Sequence, residues 1–160
     1  MTYRWRASFK WQKPRRNEDT YDGSHLLAPA RSSADTGHMT ERQQLGTFGE
    51  RVAIAHLEEK GYTIRETNFR VREGEIDIVA EHGDTLVFVE VKTRRGDAMG
   101  SAKESIGWRK AQSLLIAAQA YEERHEDLPP GRRIDVIAID LDADGELLSV
   151  EHIESAVEDG

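Results

Sequence analysis

The segment Leu86-Val87-Phe88-Val89-Glu90-Val91-Lys92 constrains this chain more than any other. It is short and rich in β-branched and aromatic residues, which reads as a strand. Successive side chains of a strand point to opposite faces, so Val87, Val89 and Val91 share one face and Phe88, Glu90 and Lys92 the other. A carboxylate and an ammonium at the end of an apolar strand are costly to bury without a partner or a metal ion. The rest of the chain has to supply one of these.

The preceding segment, Glu75 to Ala80, reads as a second strand. Gly83-Asp84 suits the tight turn between the two, because glycine accepts the positive φ of such turns. That register pairs His82 with Thr85. Counting outward, it sets Asp77 opposite Glu90 and Glu75 opposite Lys92. Directly opposed Cβ atoms lie about 4.5–5.5 Å apart, so two carboxylates there repel unless a cation lies between them. Hard oxygen ligands in an incomplete protein shell suit Mg²⁺ or Mn²⁺. An ordinary cross-strand salt-bridge ladder, with Glu75 meeting Lys92, fits the same spacing equally well. The Glu-x-Lys triplet carries little by itself. It recurs at Glu58-Glu59-Lys60 on a helical pattern, where residues two apart do not face each other. The strand context and the opposed aspartate are what distinguish the pair at Asp77 and Glu90.

The flanking elements follow from periodicity. Glu41 to Lys60 carries apolar residues at three- and four-residue steps, predicting a helix closed by Gly61. Glu50 lies along its packing stripe, and Gly46 and Gly49 beside it would let the helix approach a strand closely. Glu50 is therefore either a boundary residue reaching water or a third carboxylate turned toward the site. Tyr62 to Phe69 reads as the first strand of the series. Ser105 to His125 reads as a second helix, ended by Pro129-Pro130-Gly131. Ile134 to Leu141 and Leu147 to Ile153 read as the last strands. The expected order is helix, three strands, helix, two strands.

Charge divides the chain unevenly. Residues 1–38 hold seven Lys or Arg and four Asp or Glu, whereas the remainder holds fifteen and twenty-six. The first segment also lacks a sustained period, so residues 1–38 are expected to be a disordered extension and residues 39–160 the folded domain. Met39 directly precedes the first periodic segment and would serve as an initiator. The aromatics and bases from Tyr3 to Lys13 also fit an arm touching nucleic acid or membrane, and the tail reading is preferred. The chain has no cysteine, which argues against disulfide scaffolds and cysteine-rich zinc sites. No apolar run approaches the roughly 18 residues of a membrane span. The N-terminus lacks the apolar core of a secretory signal, so the expected location is the cytoplasm.

A net charge of −8 argues against a protein that simply coats nucleic acid, but not against a nuclease, whose metal site is itself acidic. Contacts to a phosphate backbone would come from a local patch, and Arg70, Arg72, Arg94, Arg95, Lys103, Arg109 and Lys110 are the candidates. A solvated charged face is the plainer meaning of such a run. Trp108 is expected to pack, His82 to lie at an exposed turn, and His125 and His152 to lie on the surface.

Gly49-Glu50, Gly61-Tyr62, Asn68-Phe69-Arg70, Gly74-Glu75-Ile76-Asp77-Ile78-Val79-Ala80 and Val87-Phe88-Val89-Glu90-Val91-Lys92-Thr93-Arg94 together resemble the YraN-type family of small bacterial proteins. Lys110 and Arg133-Ile134-Asp135-Val136 extend the likeness, which covers about residues 40–154. That family is similar to archaeal Holliday-junction resolvases and to the PD-(D/E)XK nucleases. The resemblance implies an α/β, restriction-endonuclease-like fold, a mixed central sheet flanked by helices. It implies Asp77 and Glu90 as metal ligands, Lys92 as the catalytic lysine and Glu50 as the match to the resolvases' helical glutamate. Ile76 stands where the broad motif has proline, a position that does not ligate. The implied activity is phosphodiester hydrolysis with Mg²⁺ or Mn²⁺ on nucleic acid, DNA by preference, with a homodimer suited to a junction's two cuts. The alternative is a non-catalytic module of the same fold that binds nucleic acid or a repair partner.

Overall fold

The computed structural model describes residues 39–96 and 106–157. The expected extension, residues 1–38, lies outside them. Seven elements follow in order: α1 (Glu41–Glu59), β1 (Thr63–Val71), β2 (Gly74–His82), β3 (Thr85–Arg95), α2 (Trp108–Arg124), β4 (Gly131–Leu141) and β5 (Leu147–Val157). The protein is α/β, and the predicted order holds.

α1 starts at a capping box, where the Thr40 hydroxyl accepts the Gln43 N–H and the Gln43 side chain accepts the Thr40 N–H. It ends at Gly61, whose φ of 84° closes the helix while the Tyr62 N–H donates to the Leu57 carbonyl.

The strands form one sheet in the order β1-β2-β3-β4-β5. All neighbours are antiparallel except β3 and β4, which run parallel from Thr85↔Gly131 to Arg95↔Leu141. A parallel pair needs a crossover, and α2 supplies it. The helices cover opposite faces. Phe48, Val52 and Leu57 of α1 pack on Ile78, Val87, Val89, Ile137 and Ile139. Leu114, Ala118 and Tyr121 of α2 pack on Ile76, Val79, Phe88, Ile134 and Val136. β3 is thus buried on both faces, as a central strand with a parallel neighbour should be.

Two close approaches set the helices on the sheet. A Cβ on Gly49 would lie 1.7 Å from the Thr93 hydroxyl of β3, and one on Gly74 would lie 2.4 Å from the Ser113 carbonyl of α2. Gly46, in contrast, faces open space, so only Gly49 acts as expected.

The register slips between Ile64 and Glu66 on β1, and twice between β4 and β5. At each slip the extra residues lie on β1 or β5, the two edge strands, and Ser155 of β5 takes a φ of 50° there.

Candidate metal and nucleic-acid site

The hairpin joining β2 and β3 has the predicted register, with His82 paired to Thr85 through to Ile78 paired to Val89. Carried one step further it sets Asp77 beside Glu90, but backbone pairing has ended there. Ile76 packs on the α2 side and Ile78 on the α1 side, although residues two apart in a regular strand share a face. The strand therefore turns over at Asp77. On β1 the residue opposite is Asn68, with a φ of 56°. Asparagine is among the few side chains that tolerate this left-handed region. The β3 donor at this point, the Val91 N–H, goes to the Asp77 carboxylate at 2.7 Å. That bond holds the carboxylate in the gap between the strands.

Because β2 leaves β3 here, Glu75 does not meet Lys92. It lies 3.4 Å from Arg70 on β1 instead, and that pair is largely exposed. The alternative, a ladder with Glu75 meeting Lys92, is therefore not formed among the described residues.

Glu90 is only 3% exposed and two lysines flank it. Lys92 Nζ lies 2.7 Å from Oε1, and Lys110 Nζ, in the first turn of α2, lies 3.0 Å from Oε2. The second contact is one of charge and proximity. The ammonium is outside hydrogen-bonding geometry, and Oε2 keeps no hydrogen-bond partner. Burial pushes the Asp77 carboxyl from 3.8 up to about 7. The neighbouring Glu90 and, more weakly, Glu50 add to that rise, while the Val91 N–H and Lys110 oppose it.

Glu50 reaches the edge of this group without closing it. Its carboxylate accepts from the Asn68 amide at 2.9 Å. Among the described residues, no three His, Cys, Asp or Glu side chains surround a single point as a metal cage would. Asp77, Glu90, Lys92 and Lys110 are brought together. Glu50 is held one partner away, through Asn68, the left-handed residue of β1 opposite Asp77.

The candidate phosphate contacts separate. Arg70 and Arg72 are exposed at the β1–β2 end of the sheet. Arg95 is committed to structure: its Nε donates to the Ala143 carbonyl at 3.2 Å, and Nη1 lies 3.8 Å from Glu41. Arg94 is half-buried, and Lys103 lies outside the described residues. Trp108 does not pack as expected. It is 65% exposed at the start of α2, with the Arg109 guanidinium 5.8 Å from its ring. The first residue of the helix stands clear of the sheet that α2 covers.

A second buried polar group lies on the α1 face. Asp135 of β4 accepts from Arg133 Nε at 2.8 Å and the Ser155 N–H at 3.0 Å, and its Oδ2 lies 2.8 Å from His152 Nε2. Arg133 also donates to the Tyr62 hydroxyl at 2.6 Å. Burial pushes that hydroxyl up to about 12. His152 is 2% exposed, so its expected surface position is corrected, and His125 is half-buried, stacked on Tyr121. His82 is exposed as expected and stacks on Tyr62. An aspartate inside the apolar run Ile134-Asp135-Val136-Ile137 carries the same signal that marked Glu90.

Residues 49–139 match the model of the uncharacterised protein family UPF0102. The chain belongs to that family. A UPF0102 protein of Roseiflexus castenholzii is 45% identical over 120 residues, 74% of this chain and 96% of that protein. One from Clavibacter michiganensis is 44% identical over 118 residues, 74% of this chain and 99% of its own length. One from Syntrophus aciditrophicus is 41% identical over 120 residues, 75% and 93% of the two chains. The matched span contains Glu50, Asp77, Glu90, Lys92, Lys110 and Asp135. Among the described residues, no helix is long and apolar enough to cross a membrane.

Proposed function

We propose that this chain is a divalent-metal-dependent nuclease of the restriction-endonuclease-like kind, hydrolysing phosphodiesters in nucleic acid, DNA by preference. The observation that carries the reading is Glu90: a buried carboxylate with an oxygen left without a hydrogen bond, beside a second buried carboxyl, Asp77, that burial and Glu90 push up to about 7. Asp77 and Glu90 fit Mg²⁺ or Mn²⁺, since their donors are hard oxygens and the shell they form is open. An ion held there would supply positive charge to the scissile phosphate and a more acidic water. Asp77 is fixed for this by the Val91 N–H, which orients one oxygen and leaves the other. Lys92, on the same strand as Glu90 and 31% exposed on its side chain, reaches both Glu90 and solvent. It is placed to neutralise charge developing on the phosphate or to orient the attacking water. The exposed Trp108 offers a face on which a base can stack. The likeness of the motifs to the resolvases and to the PD-(D/E)XK nucleases supports the same chemistry.

A second reading is a binding module of the same fold. It is favoured by the lysines on either side of Glu90, which already balance the carboxylate charge. A cleavage panel of junction, flap, single-stranded and duplex DNA in Mn²⁺, with Asp77→Asn as control, separates the two. Cutting of at least one structure, lost in Asp77→Asn, is expected. No cutting of any substrate, with a melting point unmoved by Mn²⁺, overturns the nuclease reading and leaves the module.

A further inference from the structure

We propose that Lys110 is the resident counter-cation of the Asp77–Glu90 site. It gives up Glu90 to a divalent ion and passes to a substrate phosphate, so that metal and nucleic acid bind cooperatively. The inference rests on the nuclease reading and deepens it. Lys110 Nζ stands 3.0 Å from Glu90 Oε2, the oxygen that has no hydrogen-bond partner and is therefore the one open to coordination. A metal ion and this ammonium compete for the same lone pairs. Lys92 faces the other oxygen at 2.7 Å and has no need to move.

Charge balance gives the coupling. With both carboxylates ionised, as metal binding requires, two carboxylates and two ammoniums sum to zero. Adding a divalent cation leaves a double positive excess around a carboxylate that is 3% exposed. Like charges at such separations repel strongly in a poorly solvated site. A phosphodiester anion removes part of the excess. It does so best if Lys110 turns toward it. The side chain can make that move: it is 27% exposed, it carries its charge on a flexible four-carbon stem in the first turn of α2, and no aligned hydrogen bond to Glu90 holds it. The metal-free protein should then bind Mn²⁺ weakly, and each ligand should tighten the other by the same factor.

The test uses the full chain, its Lys110→Met, Lys110→Gln and Lys110→Arg variants, and Asp77→Asn. Mn²⁺ affinity is measured by electron paramagnetic resonance with and without a short single-stranded DNA carrying a non-hydrolysable backbone. Melting curves verify folding. In the wild type the DNA should tighten Mn²⁺ by about tenfold. Lys110→Met and Lys110→Gln should bind Mn²⁺ about tenfold tighter than wild type without DNA, and lose most of the DNA effect. Lys110→Arg should keep the coupling. If wild type binds Mn²⁺ in a way that Asp77→Asn abolishes, yet neither neutral variant binds it more tightly, the metal site stands and the role of Lys110 is refuted. If no variant binds Mn²⁺ at all, the nuclease reading falls and takes this inference with it.

Discussion

Replacing Asp77 with Asn is expected to stabilise the metal-free protein, and the expected size follows from the carboxyl's environment. Burial is the largest cause of its rise from 3.8 to about 7, and Glu90 is the next. Each tenfold change in proton affinity is worth about 1.4 kcal/mol, so keeping Asp77 ionised at neutral pH costs the fold roughly 4 kcal/mol at most. Its partial contact with solvent and relaxation around it reduce that figure. Asn keeps an oxygen for the Val91 N–H but makes a weaker, uncharged bond, which offsets more. A net gain of about 1–2 kcal/mol remains, or roughly 3–6 °C in melting temperature. The sign with pH is definite. Between pH 3.8 and about 7 the native state holds the Asp77 proton more tightly than the unfolded state. In that window this group makes wild-type stability fall as pH rises. The advantage of Asp77→Asn should be small below about pH 4 and full above about pH 7. Urea melts across that range measure it, and Mn²⁺ should stabilise wild type but not the variant. A variant weaker than wild type at about pH 8, or a difference flat with pH, refutes the reasoning and points to a structural role for the charge.

Other substitutions test neighbouring parts of the argument. Glu90→Gln should have the opposite sign in the metal-free protein, losing roughly 1–3 kcal/mol, because it leaves two lysine ammoniums facing a neutral amide; urea melts decide it. Gly49→Ala should lose about 1–3 kcal/mol from its collision with Thr93, and adding Thr93→Ala should restore part of that loss, a coupling read from a double-mutant cycle. Trp108→Ala should leave the melting temperature within a degree or so of wild type while weakening single-stranded DNA binding about fivefold or more, with Trp108→Phe retaining most affinity in fluorescence anisotropy titrations.

Much of this arrangement was open to the sequence because the rules involved are local. Alternation alone separates Val87 and Val89 from Phe88 and Glu90, and the Gly83 turn sets the register that brings Asp77 to Glu90. The turnover of β2 at Asp77 was hidden, because it depends on a left-handed Asn68 on a neighbouring strand. Asparagine tolerates that conformation, but an asparagine within a strand pattern does not by itself announce it. The loss of the Glu75–Lys92 pair follows from it. β4 runs back to Gly131 because Gly131, Arg132 and Arg133, which look like loop residues, pair with Thr85, Leu86 and Val87 of β3, a long-range partner that local pattern does not reveal. β5 outlasts its predicted end at Ile153 because Ser155 interrupts the alternation without ending the strand. The burial of His152 depends on Asp135, seventeen residues away in sequence, and no local pattern couples them.

The slips of register on β1 and β5 bear on how copies of this chain can meet. An uninterrupted outer strand offers a row of unpaired amides and carbonyls to any similar strand, and sheets grow across molecules by that route. Here the outermost strands are broken at Arg65 and again around Leu148 and Ser155, so neither presents a long straight backbone template. Any pair of these molecules is then expected to associate through side chains on helices, turns or loops, leaving each five-stranded sheet closed to its neighbour. The kink at Ser155, whose N–H also ties down Asp135, is therefore expected to work against fibre-like stacking.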